Sequence, residues 1–246
     1  MLEEVDGFIL TEMPYKESSK IINVLTKEYG IIGIIAKGAA SLKNKNRVAT
    51  MRLSYAKFNI YYKKDKLSTL VSADIINPLK NIRSDIFLIS YISYITELTY
   101  QVYKQSESKE IYDNFITTVL KIEDGLDPLV LTNILEIKYL EKLGVLFDLD
   151  ECVFCKSKQG IATISADAGG FVCQKCLTNE VLVTPKVIKM IRMYYYINIE
   201  SIKDIKVEES IKKTINTFLD IYYEKYTGLY LNSKNFLKSI DKQSCF

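Results

Sequence analysis

Gly30-Ile31-Ile32-Gly33-Ile34-Ile35-Ala36 decides how the first third of this chain folds. The run is apolar at both parities, the pattern of a strand covered on both faces. Lys27-Glu28-Tyr29-Gly30 ahead of it reads as a turn, so Gly30-Ile31-Ile32-Gly33 is a hairpin element rather than the loop between two helices of a KH domain. On one side of this strand lie residues 20–26 and 5–10, both rich in β-formers. On the other side, a polar segment over residues 37–47 leads to residues 55–62. A break at Lys63-Lys64-Asp65-Lys66 follows, and residues 67–76 resume the pattern. Five short strands with no helical pattern between most of them predict a small barrel or sandwich.

After Pro78 the periodicity becomes helical. Residues 86–102 are apolar nearly all round and predict a buried helix. Residues 108–122 and 128–143 follow. The second of these opens with Asp127-Pro128, an N-cap residue and then proline at the first helical position, and Gly144 stands where a C-cap belongs. Beyond a cysteine-rich insert over residues 150–177, Thr184-Pro185 opens another helix. Residues 208–226 and 233–240 supply two more. The expected fold is therefore α+β and multidomain. A five-stranded β domain over residues 1–80 precedes an all-α domain over residues 81–246.

Composition excludes several kinds of protein. With 246 residues, 48% hydrophobic and 26% charged, the chain can bury a full core and is not a disordered sequence. Histidine is absent, which removes Ser-His-Asp triads, Cys-His dyads and His-ligated metals together. Gly33-x4-Gly38 is followed by Ala39-Ala40 where a phosphate loop needs lysine and a hydroxyl residue. The carboxylates form no Asp-x-Asp or Asp-x-Glu cluster of the kind a two-metal nuclease uses. The expectation is a non-enzyme. The longest uncharged run, residues 86–96, falls short of the roughly 18 needed to span a bilayer. The acidic start Met1-Leu2-Glu3-Glu4-Val5-Asp6 carries no signal-peptide pattern, so a cytoplasmic protein is expected.

Four cysteines are spaced Cys152-x2-Cys155-x17-Cys173-x2-Cys176. Each C-x2-C turn aims two thiolates at one point, and Gly169-Gly170 lets the chain fold back ahead of the second pair. Four thiolates close a tetrahedral shell, so this is a structural zinc site, one ion per chain, with no open position for catalysis. An iron–sulfur centre is the less fitting occupant of the same ligands. Cys245, the fifth cysteine, has no assigned role.

The charge is concentrated. Lys37, Lys43, Lys45, Arg47, Arg52, Lys57, Lys63, Lys64 and Lys66 face a single acid, Asp65, a net +8 over residues 37–66. The total for the chain is +3, so the rest carries −5. Such a segment is an electrostatic footprint for a polyanion. Along residues 55–64, Phe58, Ile60 and Tyr62 share one face, while Tyr55, Lys57, Asn59, Tyr61 and Lys63 share the other. Tyrosine interleaved with lysine on an exposed sheet can stack bases and neutralise phosphates together. The candidate DNA contacts are Lys37, Lys43, Lys45, Arg47, Lys57, Tyr61, Lys63 and Lys64.

Gly7-Phe8-Ile9-Leu10, Tyr29-Gly30, Ala36-Lys37-Gly38-Ala39, Leu140-Glu141-Lys142-Leu143-Gly144 and Gly169-Gly170-Phe171-Val172-Cys173 resemble, in this order, segments of the RecO family of bacterial recombination mediators. The resemblance implies an OB barrel followed by a helical domain with its zinc module at residues 150–177. It also implies binding of single- and double-stranded DNA, annealing of complementary strands, and assistance to RecA loading in recombinational repair. RecR and the acidic tail of single-strand binding protein would be partners, the tail on the helical domain, with the protein in the cytoplasm at the nucleoid. Ala40-Ser41-Leu42 stands where similar proteins often carry arginines, and the charge here comes later, mostly as lysine, which lacks the bidentate fork. The rival expectations are a zinc-ribbon transcription regulator and, less well supported, a metal-dependent nuclease.

Overall fold

Five strands build the first sheet: β1 (Leu2–Tyr15), β2 (Ser19–Thr26), β3 (Gly30–Ala36), β4 (Tyr55–Tyr61) and β5 (Ser68–Asn77). In the computed structural model, which describes residues 1–243, they pair in the order β1-β2-β3-β5-β4 and close, with β4 returning to β1. All pairs are antiparallel except β3 with β5, which run parallel over Ile34–Ser68 and Ile35–Thr69. This is an OB-type barrel. Its interior is the buried parity of each strand: Val5, Ile9, Ile22, Val24, Ile32, Ile34, Phe58 and Ile60, with Ala49 from the long β3–β4 connection. Each large side chain buried here contributes about 1.5–3 kcal/mol.

The double-sided apolar run did not produce a strand sealed on both faces. Ile32, Ile34 and Ala36 are buried, whereas Ile31, Gly33 and Ile35 on the outer face are half-exposed. Gly30 is obligatory for another reason. It takes φ +64°, and a Cβ there would lie 1.8 Å from the Tyr103 hydroxyl.

Helices α1 (Lys80–Ser84), α2 (Ile86–Gln105) and α3 (Lys109–Glu123) follow the barrel. α3 packs against β1 through Phe115, whose ring meets Phe8 edge-on at 4.9 Å. The short α1 escapes sequence reading because its N-terminus is satisfied from afar. The buried carboxylate of Glu123 accepts from the Asn81 and Ile82 N–H groups at 3.0 and 2.9 Å. Helix α7 (Asn232–Gln243) packs on α2, where Glu97 accepts from the Ser233 N–H at 2.8 Å and from its hydroxyl. Met1–Gly125 and the described residues from Leu231 on form one compact unit.

Leu126–Tyr230 form the second. It holds α4 (Pro128–Lys142), β6 (Ile161–Ser165), β7 (Gly170–Cys173), α5 (Pro185–Tyr196) and α6 (Glu209–Tyr226). The sequence punctuation of α4 acts as expected. Asp127 accepts from the Val130 N–H at 3.0 Å. At the other end Gly144, at φ +70°, donates to Glu141 O and Val145 donates to Leu140 O, a Schellman closure. The β6–β7 hairpin inside the cysteine insert was not foreseen. Among the described residues no helix is long and apolar enough to cross a membrane. Cys245 lies outside the described residues.

Candidate nucleic-acid interface and metal centre

The β6–β7 hairpin brings the two cysteine pairs together. Cys173 ends β7, and a single 3-10 turn over Gln174–Cys176 carries Cys176 round beside it. The first pair sits on a turn in which the Lys156 N–H donates to Cys152 O at 3.0 Å, with Lys156 at φ +60°. The two turns are stitched by Val153 N–H to Phe171 O and by Gln174 N–H to Gly160 O, both 2.9 Å. Gly170 takes φ +153° where a Cβ would meet Val153 at 2.9 Å and Phe147 at 3.2 Å, so the fold-back requires glycine.

The four sulfurs all lie within 4.8 Å of one another, and Cys155 Sγ is 3.6 Å from Cys173 Sγ. Tetrahedral Zn–S bonds of about 2.3 Å would set the sulfurs roughly 3.8 Å apart. The donor set and its spacing therefore fit a metal ion held by Cys152, Cys155, Cys173 and Cys176. Cys152 and Cys173 are buried while Cys155 is exposed. Burial opposes ionisation of Cys152, but N–H groups of Cys155, Cys173 and Phe154 outweigh it and pull the thiol down to about 6. The Cys176 thiol is pushed up, chiefly by its hydrogen bond with Cys155. The module is packed into its own unit: Phe147 meets Phe171 and Phe218 edge-on, and Arg192 lies over the Phe171 ring and donates to Leu149 O at 2.7 Å.

The basic residues divide into three settings. Residues 37–54 join β3 to β4 as a series of turns fastened to the barrel. Asn46 Oδ1 accepts from the Ala73 N–H on β5 at 3.2 Å, Asn44 Oδ1 accepts from the Asn46 N–H at 2.8 Å, and the Thr50 hydroxyl donates to Asn46 O at 2.8 Å. The buried ammonium of Lys20 donates to Thr50 O at 3.3 Å. With the asparagines turned inward, Lys43, Lys45 and Arg47 all point to solvent, and Lys37 is exposed at the start of the segment. Leu42 is 80% exposed, Val48 61% and Met51 42%, so exposed apolar side chains flank the three cations in the chain.

Lys57 stands differently. Register places Asp6 opposite it on β1 and Asp74 opposite it on β5. Its ammonium is 2.7 Å from Glu4 and 3.9 Å from Asp6. The parity reading is right, since Phe58 and Ile60 are buried and Tyr61 is 54% exposed. The outer face around Lys57, however, is compensated by acids that no local pattern reveals. Lys63 and Lys64 are exposed in the β4–β5 turn, where the Lys63 N–H donates to Ser68 Oγ at 3.2 Å. Ala73 and Ser68 are five residues apart on β5, about 17 Å at the strand rise, so the two exposed basic groups are held at separate points along one strand.

Residues 1–79 match the family profile described as Recombination protein O N terminal, and residues 83–235 match Recombination protein O C terminal. The chain belongs to the RecO family. It is 31% identical to the DNA repair protein RecO of Halalkalibacterium halodurans and 31% identical to that of Bacillus subtilis, each over 245 residues covering 98% of this chain and 96% of the relative. It is 32% identical over 248 residues to the DNA repair protein RecO of Bacillus velezensis. Membership assigns the chain to DNA repair and recombination, and the match to the N-terminal profile coincides with the barrel.

Proposed function

We propose that this protein is a non-enzymatic recombination mediator that binds single-stranded DNA, anneals complementary strands and assists RecA loading. Family membership supports RecR and the acidic tail of single-strand binding protein as its partners, and a place at the nucleoid. The observation that carries the DNA-binding part is the fastening of residues 37–54. Asn46 is spent on the barrel and Asn44 on the segment's own backbone, so Lys43, Lys45 and Arg47 are presented to solvent without an acid beside them in the chain. Leu42 on one side of them in the chain, and Val48 and Met51 on the other, are exposed and offer bases an apolar surface while the cations meet phosphates. Such contacts carry no base code, so binding is independent of sequence.

Lys37 and the Lys63–Lys64 turn extend the path, with Tyr61 as a stacking platform. Lys57 contributes less, because Glu4 and Asp6 already neutralise it. In the second unit the four thiolates hold a structural zinc that fixes the β6–β7 hairpin. The packing of that hairpin through Phe147, Phe171 and Arg192 supports a structural role over an independent DNA-reading ribbon.

Mixing the protein with two complementary fluorescent single strands, without nucleotide triphosphate, tests this reading. Duplex should form faster than in buffer, with both strands intact. No acceleration, or shortened strands, contradicts it.

A further inference from the structure

Alternation along β2 turns Lys20 to the same side as Ile22 and Val24, toward the barrel interior. It lies at the rim, paired with Ala36, the last residue of β3, just where the basic segment begins. Its side chain is only 9% exposed. A buried ammonium is unfavourable unless its donors are met, and an apolar residue here would simply continue the core. Lys20 meets two acceptors, Thr50 O at 3.3 Å and Glu12 Oε1 at 3.4 Å. So enclosed, it is not placed to contact a phosphate and stands apart from the exposed cations.

What Lys20 holds is the far end of the basic segment. Thr50, whose carbonyl it binds, is fully buried. The Thr50 N–H donates to Asn46 O at 3.0 Å, and its hydroxyl lies 2.8 Å from Asn46 O and 3.1 Å from Arg47 O. A continuous run of bonds therefore leads from Lys20 to the backbone of Arg47. Glu12 belongs to the same arrangement, because its other oxygen accepts the Arg52 N–H at 2.6 Å. The neighbours of Lys20 secure the near end: Ser19 Oγ accepts from the Gly38 N–H at 3.3 Å, and Ser18 O from the Ala40 N–H at 2.9 Å. Residues 18–20 thus grip both ends of the stretch on which Lys43, Lys45 and Arg47 stand.

We propose that Lys20, balanced by Glu12, is a positioning residue for single-strand binding. It does not touch the strand; it holds Thr50 so that Lys43, Lys45 and Arg47 are already ordered when they meet phosphates. Backbone ordered ahead of binding loses less entropy in the complex. This rests on the single-strand binding proposed above.

Lys20→Met tests it, since Glu12 is a third exposed and keeps the Arg52 N–H, so no buried charge is left unpaired. Thr50→Val tests the next link by removing only the hydroxyl. Two measurements on the full chain are needed: titration of a fluorescent oligothymidine at several salt concentrations, and limited trypsin digestion without DNA, with fragments identified by mass. Both variants should bind about 3- to 10-fold more weakly, with the slope of log K against log salt unchanged. Both should be cut faster after Lys43, Lys45 and Arg47, while cleavage after Lys63 and Lys64 keeps its wild-type rate and so reports an intact barrel. A slope lowered by about 0.7 in Lys20→Met would make Lys20 a phosphate contact and overturn the proposal. Variants that melt lower yet keep wild-type affinity and wild-type cleavage of the segment would also overturn it, since that is the behaviour of a lysine serving the fold alone. Wild type that binds no oligothymidine overturns the DNA-binding reading itself, and this one with it.

Discussion

The side-chain oxygen of Asn46 accepts the backbone N–H of Ala73 at 3.2 Å, 27 residues away in sequence, and so pins the basic β3–β4 segment to strand β5. Ala40, Thr50 and Arg52 are fastened to the barrel by other bonds, but without this one the stretch that carries Lys43, Lys45 and Arg47 would lose its own anchor, and each phosphate contact would have to order more of the loop as it formed.

Asn46→Ala removes this anchor and leaves the Ala73 N–H unpaired. It should lower unfolding stability by about 1–3 kcal/mol. Single-strand affinity should fall as well, although no charge is lost. Denaturant melts paired with fluorescence titrations read both effects. Unchanged affinity in a variant that has lost the stability would show that pinning the segment is irrelevant to binding.

Tyr61 and Lys57 share a strand face but should behave oppositely. Tyr61→Ala should weaken single-strand binding by about 1–3 kcal/mol if the ring stacks on a base. Lys57→Ala should leave the salt dependence of binding unchanged, because Glu4 and Asp6 already compensate its charge. The same titrations decide the point, and a reduced salt slope for Lys57→Ala would place DNA on that face.

Purified protein should carry one zinc per chain, measurable by elemental analysis. Cys173→Ser should lose it and lower the melting temperature, because ligand binding and local folding share one free energy. Metal-free wild type of equal stability would contradict the assignment.

Alkali should unfold the protein in step with tyrosine ionisation. Burial raises Tyr112 and Tyr194, and it holds Tyr222 at about 12. Unfolded tyrosines ionise near 10, so above that pH the unfolded chain binds fewer protons than the folded one. The stability these groups confer is present below about pH 10 and is lost as pH climbs through their folded values. Tyr222→Phe should cost about 1 kcal/mol, since its hydroxyl donates to Val145 O at 2.8 Å. Tyr194→Phe should cost nothing, since that hydroxyl has no partner among the described residues. Helical signal and tyrosinate absorbance followed through an alkaline titration check both statements.

What could be read in advance follows from how local each signal is. The five strands lie within a few residues of their expected limits because alternation and turn residues act over short spans; β1 alone runs longer, its extension carrying polar residues such as Glu3 and Glu12. Asp127, Pro128 and Gly144 mark α4 correctly because caps are local chemistry. The cysteine spacing identified a cluster that the fold does assemble. Besides the β6–β7 hairpin, three things escaped. Helix α1 depends on Glu123, more than 40 positions away. The neutralisation of Lys57 depends on strand register with β1 and β5, which no single segment encodes. Asn44 and Asn46 read as spacers between cations, yet they are the residues that orient them.

The central claim is that Lys43, Lys45 and Arg47 meet phosphates of a single strand. Replacing all three by alanine and measuring log K against log salt tests it most directly. At about 0.7 per contact, the slope should fall by roughly 2 relative to wild type, with zinc content and melting temperature unchanged. An unaltered slope in a folded, zinc-loaded variant would contradict the account and send the DNA path elsewhere.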